Sequence, residues 1–226
     1  MRRGRLFAGG GKIAIAFDEW NLRGWHHPGL GKFKRDAVMD YEARRQNDVA
    51  SYYTMADALF SACFLNTCLR HCDIVKMANF SPVVNTRGAV FVHDKGIVKR
   101  TTYHVFWMYA HLLEANVAPV NVSCGTLTDG KSSVSVLDAV LTVSDDGSRR
   151  VLAVVNKSPD KPVALDVSAL IPGGPRAVAA TVLDGDSPDA YNDIGAETRV
   201  VPRPAALGVA NGKVTLAPHS FSIIKL

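Results

Sequence analysis

The aromatic residues of this 226-residue chain are confined almost entirely to its first half. Of eighteen Phe, Trp and Tyr side chains, sixteen precede residue 119, and only Tyr191 and Phe221 follow it. Proline does the reverse, with nine of eleven at or beyond Pro119. Large rings fill the space between helices and sheets, whereas prolines collect in turns and at strand edges. Two packing styles therefore meet near Ala118-Pro119, and two domains are expected, residues 1–118 and 119–226.

The first part alternates strand and helix. Lys12–Phe17 is a short apolar strand bounded by Gly9-Gly10-Gly11, and Gly24–Asp40, basic and glycine-rich, is a long loop. From Asp48 the apolar positions run Val49, Tyr52, Tyr53, Ala56, Leu59, Phe60, Cys63 and Phe64. That spacing predicts an amphipathic helix to about Leu69, with Asn47 or Asp48 as N-cap. A second strand follows at Ile74–Ala78, then a loop with Asn85-Thr86-Arg87-Gly88, then a helix over Thr102–Glu114. This order predicts parallel βα units.

The second part reads as strands throughout. Val134–Val143, Arg150–Val155, Val163–Val167, Ala177–Leu183, Lys213–Leu216 and Phe221–Lys225 are β-rich runs. Asp145-Asp146-Gly147-Ser148 and Asn211-Gly212 are hairpin turn signals between them. Six short strands in about a hundred residues predict an antiparallel β-sandwich. A closed (β/α)8 barrel takes about 250 residues, and the first part holds 118. Its two βα units would keep open strand edges, so it is either a small α/β layer or the tail of a larger barrel.

Hydrophobic residues at 47% and charged ones at 21% exclude a disordered or collagen-like chain. No apolar run reaches the about 20 residues of a membrane-spanning helix, and no membrane partner is expected. The basic start, Met1-Arg2-Arg3-Gly4-Arg5, has the charge of a signal peptide, but Ile13–Phe17 is too short for its apolar core and runs into Asp18-Glu19. Lys and Arg outnumber Asp and Glu by 26 to 21. These bases are scattered (Arg44-Arg45, Lys99-Arg100, Arg149-Arg150), so no nucleic-acid partner is expected.

Asp18-Glu19-Trp20-Asn21 is the sharpest chemical feature. Two carboxylates close an apolar strand, and at the C-terminal end of a parallel strand such groups project into the mouth of a sheet. Strand alternation puts Glu19 on the side of Ile13, Ile15 and Phe17 and Asp18 on the other, so the two do not form a facing dyad. A carboxylate beside an indole suits sugar chemistry, the ring packing on C–H faces while the carboxylate meets an oxocarbenium-like centre. From the residues alone, a capping or salt-bridging pair at a strand-to-loop junction stands equally open.

Ile13–Asn21 resembles the nucleophile strand of the family 51 glycoside hydrolases, the α-L-arabinofuranosidases. Leu69–Asn79 is similar to that family's last helix-to-strand passage, and Val83-Val84-Asn85-Thr86 and Arg100-Thr101-Thr102-Tyr103 follow in order. Asp189-Ala190-Tyr191-Asn192 and Leu216–Ser222 are similar to the close of its C-terminal β-domain. The resemblance implies the last two βα units of an incomplete (β/α)8 barrel followed by an antiparallel β-sandwich. It implies that Glu19 is the catalytic nucleophile of a retaining enzyme, with Trp20, Asn21 and Trp25 as substrate-binding residues. The implied substrate is a terminal α-L-arabinofuranosyl unit of arabinan or arabinoxylan, without metal or cofactor.

A retaining mechanism needs a second carboxyl about 5 Å away, and in the family that acid/base Glu lies well upstream of the nucleophile. Here eighteen residues precede Glu19, and none before Asp18 is acidic. The chain is thus expected to be a C-terminal portion with little turnover of its own. The alternative is a non-catalytic carbohydrate-binding or assembly module derived from such an enzyme. Two departures touch substrate preference: Pro82 stands where many members have a sugar-binding Gln, and Arg23 where many have a Trp. Members of the family often form homo-oligomers, and nothing in these residues speaks to that.

Other constellations have plainer readings. Cys68 and Cys72 share a helix face but Cys63 falls away from it, so with His71 these are buried thiols rather than zinc ligands. Such thiols suit a reducing, cytoplasmic setting. His26-His27 is an exposed loop pair or a substrate rim, and Lys32, Lys34 and Arg35 a solvated loop. Tyr103, Phe106, Trp107 and Tyr109 read as helix core packing. Gly9-Gly10-Gly11 precedes a strand, the wrong order for a phosphate loop.

Overall fold

The computed structural model describes residues 13–22 and 48–226. Strands β1 (Ile15–Trp20) and β2 (Val75–Phe80) pair in parallel, and helix α1 (Met55–Arg70) makes the crossover that such a pair requires. The strand spans three residues beyond Phe17, so Asp18-Glu19-Trp20 lies inside it rather than after it.

A 3-10 turn at Ala50–Tyr52 precedes α1, which starts at the N-cap Thr54 and not at Asp48. The Thr54 amide donates to Asp57 Oδ2 at 2.9 Å, and this capping box overrides the apolar spacing ahead of it. The first free helix donors are also satisfied from a distance, Met55 N–H by Ala190 O at 2.8 Å and Ala56 N–H by Pro188 O at 3.0 Å.

Between β2 and helix α2 (Thr101–Leu112) lies a hairpin, β3 (Val90–His93) with β4 (Gly96–Lys99), in a stretch expected to be loop. Its signal was present: β-branched residues flank Asp94-Lys95-Gly96, and Gly96 adopts the φ of +150° that a side chain resists.

Six strands form the main sheet. They are β5 (Asn116–Ala118), β8 (Leu137–Val143), β9 (Arg150–Asn156), β11 (Ala177–Leu183), β12 (Arg203–Gly208) and β14 (Ser220–Lys225). The spatial order is β12-β11-β14-β9-β8-β5, antiparallel throughout. A short hairpin, β6 (Thr126–Thr128) with β7 (Ser133–Ser135), splits the run expected to be one strand from Val134. Strands β10 (Val163–Asp166) and β13 (Lys213–Leu216) pair as a second, two-stranded sheet.

Alternation along β9 shows where the core sits. Val151, Ala153 and Val155 face Met55, Ala58, Leu59 and Ala62 of α1 and Val105 and Met108 of α2. Leu152 and Val154 face the opposite way, into a cluster with Val167, Val214 and Leu216 beneath the two-stranded sheet. The main sheet is therefore the middle of three layers: helices, six strands, two strands. The expected sandwich is lopsided, because helices and not a second large sheet cover one face.

Both expected turns are formed. Gly147 takes φ +71° between β8 and β9, and Asn211-Gly212 take φ +52° and +73° in the tight turn that leads from β12 to β13, closed by the Ala210–Lys213 bridge.

Candidate active site

At the C-terminal ends of β1 and β2 the ladder is irregular. Phe17 pairs with Ala78 and Trp20 with Phe80, so β1 has one residue more than β2 over this step. That extra residue is a bulge containing Asp18 and Glu19, and it breaks the strict alternation expected here. In consequence Phe17 and Trp20, three positions apart, both reach Phe64 of α1, with ring centroids at 5.3 and 4.2 Å.

Trp20 is corrected by the same geometry. It was expected to touch the substrate, but its indole is buried at 8% exposure among Phe64, Phe80 and Phe106. No ring face remains for a sugar. The other carboxylate, Asp18, is exposed, as is Glu19.

Glu19 reaches solvent with 60% of its side chain and receives a charge-assisted contact on Oε1 from Arg87 Nη2. Arg87 belongs to the loop after β2, which turns at the cis Ser81–Pro82 bond. The salt-bridging reading of the pair is thus realised for Glu19, in an open and not a buried setting.

Asn21, also expected at the substrate, directs Nδ2 to the carbonyl of Arg87 at 3.0 Å and that of Ser81 at 3.5 Å. It ties the end of β1 to the loop after β2. Trp25, Arg23, His26-His27, Lys32, Lys34, Arg35 and Gly9-Gly10-Gly11 lie outside the described residues.

The loop itself is anchored from below by Arg100, one of the scattered bases and the first residue of the Arg100-Thr101-Thr102-Tyr103 stretch, to which the sequence alone assigns no role. Arg100, at 1% exposure, donates from Nη1 to Thr86 O at 2.7 Å and Gly88 O at 2.9 Å. Its guanidinium carbon lies 3.7 Å from the centre of the Tyr53 ring, and Nη2 faces Asp48 at 3.7 Å. Tyr53 adds its hydroxyl to Thr86 O at 2.7 Å.

Burial shapes the titration of this cluster. It pulls Arg100 down against the raising influence of Tyr53 and Asp48, pushes Tyr53 up to about 12, and raises Asp48 although Arg100 opposes it. Asn85 and Thr86 hold φ of +55° and +49°, a left-handed backbone uncommon for residues with a side chain. Gly88 is required where it stands, because a Cβ there would lie 2.6 Å from the Val83 carbonyl. The signal in the sequence is an arginine that follows Ile97-Val98-Lys99, two β-branched residues and a lysine, and directly precedes a helix.

The remaining expectations divide. Cys63 is largely buried, which pushes its thiol up to about 12, and Cys68 is raised by the same cause. Cys72 falls beyond the end of α1 and is exposed, so it is not a buried thiol. Tyr109 is core, its hydroxyl donating to Asn66 Oδ1 at 2.6 Å, whereas Trp107 stays 39% exposed and stacks on His111.

The sequence pattern of the α-L-arabinofuranosidase C-terminal domain matches residues 18–220. Two relatives are a probable α-L-arabinofuranosidase C of Aspergillus clavatus, 29% identical over 93% of this chain and 39% of its own length, and an intracellular exo-α-(1→5)-L-arabinofuranosidase of Bifidobacterium longum, 27% identical over 95% and 40%. The chain thus spans about two fifths of the length of the curated relatives it matches. Among solved structures, the α-L-arabinofuranosidase of Thermotoga maritima in its arabinose complex superposes with a TM-score of 0.73 at 21% identity, over 95% of this chain and 43% of the other. A family 51 α-L-arabinofuranosidase of Bifidobacterium longum gives 0.75 at 23%, over the same shares. Those two likenesses establish a common fold, a mixed α/β core carrying a multi-stranded antiparallel sheet. With nine tenths of its length inside the matched pattern, the chain belongs to the family of the α-L-arabinofuranosidase C-terminal domain.

Proposed function

We propose that this chain carries the covalent nucleophile, Glu19, of a retaining α-L-arabinofuranosidase that releases terminal units from arabinan or arabinoxylan. The observation that carries the reading is a solvent-reaching carboxylate at the C-terminal end of a parallel strand pair, on a bulge and gripped by an arginine. Barrel enzymes keep their catalytic groups at that end of the sheet, and bulges there re-aim a side chain.

In this mechanism Glu19 attacks the anomeric carbon and the bond to the aglycone oxygen breaks. That oxygen takes a proton from a second carboxyl, leaving a glycosyl ester on Glu19. Water, deprotonated by the same second group, then cleaves the ester, freeing arabinose with net retention and restoring the carboxylate. The second carboxyl is assigned to a segment upstream of β1 in a longer protein. Loss of such a proton donor costs about 10²–10⁴-fold in rate, so the 226-residue chain alone turns over little.

The incomplete-barrel reading draws support from the same strands. Among the described residues each of β1 and β2 has one partner strand, and a groove of about 560 Å³ lined by Phe80, Val83, Phe106 and Trp107 lies beside β2. Residues 1–118 would then be barrel and 119–226 the C-terminal domain, although the core between them is continuous. Trp25 remains the aromatic candidate for a sugar face, and the free thiols suit a reducing, cytoplasmic setting.

The test is joining. The chain replaces the matched C-terminal portion of the Bifidobacterium longum relative, and the chimera is assayed on an aryl α-L-arabinofuranoside. Hydrolysis that Glu19→Gln removes is expected; hydrolysis that survives this substitution overturns the assignment.

A further inference from the structure

Three successive carbonyls around Arg87 are all held. Thr86 O and Gly88 O accept from the single Nη1 of Arg100, and Arg87 O accepts from Asn21 Nδ2. A surface ion pair alone sets little geometry, because two long side chains must be ordered to form it. Here the backbone that carries the arginine is fixed on both sides by a buried, stacked guanidinium, and its own carbonyl is tied to the strand that bears Glu19. The loop is held in left-handed conformations at Asn85 and Thr86, which persist only where the surroundings enforce them.

We propose that Arg100 and Arg87 act as a two-step positioning relay: the buried Arg100 fixes the 86–88 backbone, and Arg87, so fixed, aims the Glu19 carboxylate. Both members of the relay are arginines, Arg100 buried at 1% and Arg87 with 13% of its side chain exposed. Arg100 never touches the carboxylate. A lysine cannot take its place, since one ammonium on a flexible stem does not reproduce the planar fork that stacks on Tyr53 while reaching two carbonyls. The inference rests on the reading of Glu19 as the nucleophile.

The test compares two carboxylates on one peptide. The full chain is treated with a water-soluble carbodiimide and an amine, and modification of Glu19 relative to Asp18 is read by mass spectrometry. Arg87→Met and Arg100→Met each raise the Glu19-to-Asp18 ratio by roughly threefold, the size expected for losing an exposed ion pair. Arg100→Lys gives the same direction and decides the matter where Arg100→Met does not fold. General loosening raises both sites and leaves the ratio unmoved, which overturns the relay, as does a ratio that responds to Arg87 but not to Arg100.

A second arm uses an arabinofuranoside with a dinitrophenyl leaving group and a fluorine at C2, which needs no proton donor to glycosylate a nucleophile. Arg87→Met slows labelling of Glu19 without changing the half-saturating concentration. A shifted ratio with no glycosyl mass on Glu19 in any of the proteins overturns the nucleophile reading and the catalytic purpose of the relay with it. A labelled Glu19 with an unshifted ratio overturns the relay alone.

Discussion

The parallel pair β1–β2 and the six-stranded sheet both pack on α1, yet they differ in how far each completes itself. Interior strands of the large sheet have a neighbour on either side, and β9 buries residues on both faces, Val151, Ala153 and Val155 toward the helices and Leu152 and Val154 away from them. The parallel pair has one ladder among the described residues. Around it Phe17, Met77, Val83 and Val84 remain exposed. Stability is therefore concentrated in the sheet, while the group proposed for chemistry sits on the layer with the fewest partners. Segments that must bind or move are drawn from the low-stability end of a fold.

Amide hydrogen exchange breaks or sustains this contrast most strongly. Amides of β9 and β14 should exchange only through global unfolding, and those of β1 and β2 through local opening several kcal/mol cheaper. Equal protection in the two regions would erase the distinction. Next in size is Phe221→Ala. Phe221 is fully buried and stacks on Tyr109 at 5.3 Å, so its loss should cost about 3–5 kcal/mol in denaturant unfolding. Phe17→Ala, on the open layer, should cost less than about 1 kcal/mol.

The helix side of the sheet also sets a pH response. His104 of α2 is buried, and burial, aided by Lys99, pulls its pKa down to about 4. The unfolded chain takes up this proton near the ordinary histidine value and the folded chain does not until about 4. Stability conferred by neutral His104 is thus intact above pH about 6.5 and lost as pH falls toward 4, by up to about 3 kcal/mol. His104→Gln should flatten unfolding midpoints across that window. The low carboxylate of Asp146, held down to about 2 by Ser144 and Ser148, acts only below it.

A smaller effect probes the joint between the regions. Asn192 donates to Lys99 O and Val200 O and accepts from Val200 N–H, at 2.8, 2.8 and 2.7 Å. Asn192→Ala strands these buried groups and should cost about 2 kcal/mol, with a cooperative transition retained.

What was readable in the sequence follows the same division. Strands β8, β9, β11 and β14 of the large sheet announce themselves through β-branched runs and the turn at Gly147, whereas the three-residue β5 and the alanine- and proline-containing β12 carry no such run and are missing from the expected strands. The position of Glu19 near the end of a parallel strand was equally plain. Its partner was not: Arg87 lies 68 residues away, and a register bulge depends on the strand opposite. Trp20 misled for a related reason. An indole beside carboxylates reads as a sugar platform, yet the bulge turns it onto Phe64 and Phe80. The Thr54–Asp57 cap was legible as a spacing and was overshadowed by the apolar residues before it.

A covalent bond to one side chain decides whether Glu19 is the nucleophile. The chain is incubated at high concentration with the dinitrophenyl 2-fluoro-arabinofuranoside, digested, and the peptide containing Asp18 and Glu19 is fragmented. An adduct of one glycosyl unit on Glu19, absent from Glu19→Gln, is the predicted result; an adduct on Asp18, or a folded protein that takes none at all, contradicts it.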